Sequence, residues 1–243
     1  MEYRKSEWNG FLCLDFKFED RDAKLVCPQE PCEGKKWLLK TEYFGAFPAF
    51  EVKMLKKGYH VAYVSNQTRW HAVSDDDVKA KFCDFLQSEF GLHRKCLPVG
   101  MSCGGMHAVY FGAKYPELVA GLYLDAPVLN LLSCPCGIGG STDSMYEEFV
   151  KDTGMTKSDL INYRNHPIDY VKELVEHKIP VFLVAGDSDG VVPYVENGKP
   201  FYEYYVKHGG DISQIVKPGC DHHPHGLADQ EPLITFTERV YQM

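Results

Sequence analysis

From Trp37 to the C-terminus, short apolar runs take turns with longer amphipathic stretches. "KWLLKTEYF", "YHVAYVS", "CLPVG", "VAGLYLDAP", "IPVFLVAG" and "DISQIVKPG" read as strands. Between them, "FPAFEVKMLKKG" places Phe47, Phe50 and Met54 on one helical face, with Gly58 at a C-cap position. "DVKAKFCDFLQSEFG" does the same with Val78, Phe82, Phe85 and Leu86. "PFYEYYVKHGG" and "EPLITFTERVYQM" are further helices, the second with Pro232 in its first turn. Successive parallel strands need a crossover, and helices are the usual one. The alternation therefore predicts an α/β fold with a mainly parallel sheet covered by helices on both faces. In such sheets ligands sit beyond the carboxyl ends of the strands. Chemistry is to be sought in the loops that follow strands.

Upstream, Leu12, Leu14, Phe16 and Phe18 alternate with mostly polar or smaller residues, "EDRD" turns the chain, and "AKLVCP" returns. This is an N-terminal antiparallel hairpin at one edge of the sheet. Residues 128–178 are mostly helical in pattern, with a capping box at Thr156–Asp159. With 243 residues and no repeats, a single domain over 1–243 is expected.

The charge balance excludes some functions. There are 26 basic and 34 acidic residues, a net charge of −8, and no basic stripe, so no nucleic-acid partner is expected. No apolar run approaches the ~18 residues of a membrane span. The start, "MEYRKSEWNGFLCLDF", does not read as a secretory leader, which makes a cytoplasmic protein the expectation. Nine cysteines, an odd number scattered along the chain, are expected to be reduced thiols.

Gly100-Met101-Ser102-Cys103-Gly104 matches G-x-S-x-G between a strand and a helix. There the serine sits in a strained turn above the sheet, and glycines two residues away leave room for it. The free N–H groups of the following helix, Cys103 first, could stabilise an oxyanion. The plainer reading is a glycine-rich turn. A reactive serine also needs a base and an orienting carboxylate, in the chain order Ser, acid, His. "VAGDSDGVVP" supplies Asp187 and Asp189 after a late strand. Asp187, next to the strand end, fits a local Asx turn, and Asp189 lies where the loop turns back. "KPGCDHHPHGL" supplies His222, His223 and His225 after the last strand. Three imidazoles also raise a metal site, but no further ligand is near in sequence and Pro224 interrupts helical His-x-x-His spacing. Neither metal nor cofactor is expected.

These three stations together resemble the α/β-hydrolase family, through "GMSCGG" at 100–105, "GDSDGVVP" at 186–193 and "PGCDHHPHGL" at 218–227. The likeness is nearest to small bacterial members with a Gly-x-x-His-His-Pro-His segment. It implies Ser102 as nucleophile, Asp189 as orienting acid and His222 as base, with His223 and His225 in support. Many members carry His-Gly after the strand that precedes the first helix, where this chain has Glu42-Tyr43. Phe44 should then give the second oxyanion N–H beside Cys103, with Tyr43 as the neighbouring alternative. Residues 131–167 become a short helical cap, with Met145, Tyr146 and Phe149 facing either the pocket or the cap itself. Tyr43, Trp70, His71 and Met101 are the expected pocket residues, although Trp70 could equally pack on the fold.

"SCPCG" at 133–137 has no second ligand pair and reads as loop, and Asp75–Asp77 reads as acids at a helix start. The resemblance implies a serine hydrolase acting on a carboxylic ester, such as a carbohydrate acetyl ester or a small acyl ester, without cofactor. The alternatives are a serine peptidase of prolyl-oligopeptidase type and a non-catalytic binding protein on the same scaffold. The lack of a second large domain argues against gating of oligopeptides. A small-molecule or glycan ester is the expected partner, and oligomeric state is not legible.

Overall fold

A computed structural model describes residues 2–243. Nine strands form one sheet: β1 (Arg4–Trp8), β2 (Phe11–Phe18), β3 (Arg21–Cys27), β4 (Trp37–Lys40), β5 (His60–Val64), β6 (Leu97–Met101), β7 (Leu122–Asp125), β8 (Val181–Gly186) and β9 (Ile212–Lys217). Their spatial order is β1-β2-β3-β5-β4-β6-β7-β8-β9. The pairs from β5 through β9 are parallel, and β1, β2 and β3 add an antiparallel edge. The order places β4 and β6 at the centre, and both βα turns beside them meet above that point.

Helices α1 (Ala49–Lys56), α2 (Val73–Phe90), α3 (Cys103–Lys114), α4 (Tyr146–Thr153), α5 (Lys157–Ile161), α6 (Val171–Glu176), α7 (Gly198–Lys207) and α8 (Glu231–Val240) complete the fold. Alternate strand residues feed two cores, as a period of two requires. Leu38, Val61, Val99, Tyr123 and Phe182 meet Phe50 and Met54 of α1 and Phe236 of α8. Trp37, Leu39, Ala62 and Leu183 meet Phe82 of α2, Phe111 of α3, Leu174 of α6 and Phe201 of α7.

The hairpin prediction holds with two corrections. Leu12 is 46% exposed, so the even face of β2 is buried only in its second half, where Phe16 and Phe18 meet Phe82 and Phe85 of α2. In its first half Phe11 and Cys13 bury the opposite face. The polar "RKSEW" is also a strand, the charged sheet edge β1, which no apolar period marks. Charge on such an edge disfavours pairing with another chain. Phe47 precedes α1 rather than joining its buried face.

Segment 131–167 carries α4 and α5. The capping box is present: the Asp159 carboxylate accepts from the Thr156 N–H at 2.8 Å, and the Thr156 hydroxyl accepts from the Asp159 N–H. Phe149 of α4 is buried edge-on against Trp70, with ring centroids 5.2 Å apart. All nine cysteines are free. Among the described residues no helix is long and apolar enough to cross a membrane.

Candidate active site

Ser102 closes β6 and caps α3 with φ 53° and ψ −121°, a conformation non-glycine residues rarely hold. Such a backbone costs about 1–3 kcal/mol and needs support from its surroundings. The Ser102 N–H donates to the Asp125 carbonyl at 2.9 Å, and the Val128 N–H donates to the Ser102 carbonyl at 3.0 Å. A Cβ on Gly100 would lie 2.5 Å from the Gly104 carbonyl oxygen, and one on Gly105 2.3 Å from Pro127 Cβ. Gly104 is less demanding, with 3.2 Å to its nearest neighbours. The glycine that motif matching leaves out, Gly105, is thus one of the two that the elbow needs most.

The structure brings Ser102, His222 and Asp189 together from the ends of β6, β9 and β8. The Ser102 hydroxyl lies 3.1 Å from His222 Nε2. His222 Nδ1 lies 2.8 Å from Asp189 Oδ2. Asp189 Oδ1 accepts from the N–H groups of Val191 at 2.9 Å and Val192 at 2.7 Å. The carboxylate can only accept, so Nδ1 of His222 donates and Nε2 is left to accept from the serine. All three residues are buried, with exposures of 6–7%.

Asp187 does not join them. It accepts from the N–H of Gly219 at 2.7 Å and from the Ser188 hydroxyl at 2.9 Å, and so ties the acid loop to the histidine loop as well as to its own turn. The two loops touch at Gly186, where a Cβ would stand 2.2 Å from the Cys220 carbonyl oxygen.

The N–H of Cys103 opens α3 and lacks an intrahelical acceptor by helix geometry. Burial pushes the Cys103 thiol up to about 11, so it stays protonated near neutrality. Across from it, Tyr43 takes a left-handed φ of 52°. Its N–H donates to Glu42 Oε1 at 3.3 Å, whereas the N–H of Phe44 has no assigned acceptor among the described residues. The Phe44 ring turns away to pack on Trp8 and Tyr63. The Tyr43 hydroxyl contacts Cys103 and Arg69, and burial raises its pKa. Glu42, in the His-Gly position, is also raised by burial, and it accepts from Asn66 at 2.5 Å.

Trp70 and His71 line a cavity of about 250 Å³ with Met106, Tyr110, Leu131 and Phe149. Trp70 is buried, and His71 pairs with Asp76 at 2.6 Å and stacks on Tyr110. Arg69 makes a two-bond ion pair with Glu148 of α4, joining the loop after β5 to that helix. Met101 is a correction. It shares a strand face with Leu97 and Val99 and is 1% exposed in the core beneath the sheet, so it lines no pocket. Its sulfur instead lies 3.4 Å from Lys40 Nζ.

The reading of residues alone missed Asp125. This fully buried carboxylate at the end of β7 accepts from Tyr123 Oη at 2.9 Å, His225 Nδ1 at 2.9 Å and the Gly226 N–H at 2.6 Å. It anchors the histidine loop to the strand whose carbonyl holds Ser102. His223 is exposed and stacks on Phe47, with centroids 5.5 Å apart. Burial, then the neighbouring imidazoles His222 and His225, lower the His223 pKa. The three rings converge despite Pro224: one nitrogen from each of His222, His223 and His225 lies within 4.8 Å of the others.

The fold and this geometry define an α/β hydrolase. The model of the prolyl oligopeptidase family matches residues 50–242, and the chain belongs to that family. It is similar to a puromycin hydrolase S511A mutant solved with PGG (18% identity, TM-score 0.73, 100% of this chain and 40% of that one). It is also similar to a puromycin-hydrolyzing peptidase of Mycobacterium tuberculosis (14% identity, TM-score 0.71, 97% of this chain and 38% of that one). TT1662 from Thermus thermophilus matches over 100% of both chains at 15% identity and a TM-score of 0.65. The chain spans well under half the length of the two puromycin-hydrolysing proteins. No curated protein matches the sequence.

Proposed function

We propose that the chain is a serine hydrolase that cleaves amide bonds of short aminoacyl or peptide substrates through an acyl-enzyme on Ser102. The observation that carries this reading is the unbroken line Ser102 Oγ–His222 Nε2 at 3.1 Å and His222 Nδ1–Asp189 Oδ2 at 2.8 Å. Membership of the prolyl oligopeptidase family favours the peptidase alternative over the ester-first expectation.

His222 takes the proton from Ser102 as the hydroxyl attacks the carbonyl carbon. Asp189, held by the Val191 and Val192 amides, keeps the proton on Nδ1 and stabilises the imidazolium. The oxyanion is held by the Cys103 N–H, with Phe44 as the second backbone donor because Tyr43 spends its own N–H on Glu42. His222 then protonates the leaving amine, and water, activated by the same imidazole, hydrolyses the acyl-enzyme. This chain's residues supply every proton transfer.

Ester hydrolysis is the second reading. It is favoured by the same Ser102–His222–Asp189 line, which attacks an ester carbonyl as it does an amide, with an alkoxide easier to expel than an amine. Turnover of aminoacyl p-nitroanilides is compared with that of p-nitrophenyl acetate, using Ser102→Ala as the blank. Nitroanilide cleavage that vanishes in the variant is the expected result. Cleavage of esters alone would sink the peptidase reading and leave the ester one. Neither activity would leave a binding protein on the same scaffold.

A further inference from the structure

We propose that His222, His223 and His225 form a binding site for a borderline divalent ion such as Zn2+, which shuts the hydrolase off by capturing the imidazole that faces Ser102. The inhibitory half of this proposal rests on the serine-hydrolase reading; the binding half does not.

Three observations carry it. The first is convergence, since one ring nitrogen from each imidazole lies within 4.8 Å of the other two. Zinc bonds of about 2.0–2.1 Å bring ligand nitrogens to about 3.3 Å in a tetrahedron, so modest side-chain rotation closes the site.

The second is the surroundings of the ligands. Metal-bound histidines usually donate their other ring N–H to a carboxylate, which fixes the ring and makes the ligating nitrogen more basic. Two of these three already do so. His222 Nδ1 is bound to Asp189 at 2.8 Å, and His225 Nδ1 to Asp125 at 2.9 Å. Both carboxylates are almost fully buried, with side-chain exposures of 1%. Each ring is thereby left with Nε2 as its lone-pair nitrogen. For His225 no partner is assigned to that nitrogen among the described residues.

The third is access. His223 is exposed and its ring is held by stacking on Phe47 rather than by an ion pair, so it can turn to complete a three-histidine set. Such a set leaves the fourth position of a tetrahedral ion open to water. The consequence for chemistry is direct. A lone pair on His222 Nε2 that binds the ion cannot accept the Ser102 proton.

Zn2+ is titrated calorimetrically into the full chain in chelator-free buffer, and labelling of Ser102 by a fluorophosphonate is followed over the same concentrations. Wild type is expected to bind one equivalent at this site, with labelling slowed as it fills and restored by chelator. His223→Ala removes a ligand from an exposed position and should weaken binding at least tenfold. Asp125→Asn is isosteric. With its amide nitrogen facing Nδ1, it forces the His225 proton onto Nε2 and closes that ligand, so binding should again fall at least tenfold. Cys220→Ser, which removes the thiol that lies 4.0 Å from the His223 carbonyl, should change nothing. No isotherm, an isotherm unchanged in His223→Ala, or one lost only in Cys220→Ser would overturn the site. Binding that leaves labelling untouched would overturn its inhibitory role. Calorimetry needs no turnover. A histidine-dependent isotherm on a protein that never labels would therefore support the site while the hydrolase reading fell.

Discussion

Replacing Glu51 by Gln should unsettle the floor of the active site. Lys40, the last residue of β4, is 1% exposed and its Nζ lies 2.5 Å from Glu51 Oε1 of α1. The same ammonium reaches the Ala46 carbonyl at 3.3 Å and Met101 sulfur at 3.4 Å. It therefore links the loop that carries Phe44 to the residue before Ser102. The second oxygen, Glu51 Oε2, is buried without a partner, so Lys40 is the carboxylate's main compensation. Removing one member of a buried ion pair leaves the other charge uncompensated and costs about 3–5 kcal/mol. For a chain of this length that lowers Tm by about 6–20 °C. Guanidinium denaturation with a fitted m-value and a thermal melt read the effect. The apolar double variant Lys40→Met/Glu51→Leu should recover to within about 1–2 kcal/mol of wild type, because the desolvation of both charges is then avoided. A single variant that loses under about 1 kcal/mol, or a double variant no better than the single, would refute the reasoning.

Asp189→Asn keeps the shape but presents an amide to His222 Nδ1 in place of a carboxylate, and kcat should fall by about 10⁴, as it does when the same change is made in trypsin-like triads. Steady-state kinetics with a p-nitrophenyl ester check this. Gly105→Ala drives a Cβ to 2.3 Å from Pro127. It should destabilise the chain by about 1–3 kcal/mol and reduce fluorophosphonate labelling, read by urea denaturation and gel fluorescence. His60 is buried at the start of β5, and burial, then the Lys35 charge, lower its pKa to about 4. Its folded pKa lies below the unfolded value, so its contribution is complete above about pH 6.5 and is lost as pH falls from there through about 4. Against wild type, His60→Gln should therefore lose about 3 kcal/mol less between pH 7 and pH 4, measured by urea midpoints at both pH values.

The chain order of strands and helices was legible because its signal is periodic and local. The elbow was legible because strain at Ser102 requires particular glycines. Asp189 and His222 came from the spacing of recognised segments, and the structure puts both within hydrogen-bond reach of their partners. Met101 went wrong although its face could be read, since Leu97, Val99 and Met101 alternate onto one side of β6 and so away from Ser102's loop. Lys40–Glu51 and Asp125–His225 were beyond reach for another reason. Asp125 and His225 lie 100 residues apart on elements whose approach depends on the order of strands in the sheet, and Lys40 and Glu51, though 11 residues apart, face each other only because α1 folds back over β4. Strand β1 was missed because an exposed charged edge carries no apolar period.

The account stands most directly on the reactivity of one atom, Ser102 Oγ. Intact, folded protein is treated with a fluorophosphonate and analysed by peptide mass spectrometry. The account predicts one adduct, on Ser102, that is absent in Ser102→Ala and strongly slowed in His222→Ala. A folded chain that takes no label, or takes it equally well in Ser102→Ala, would contradict it.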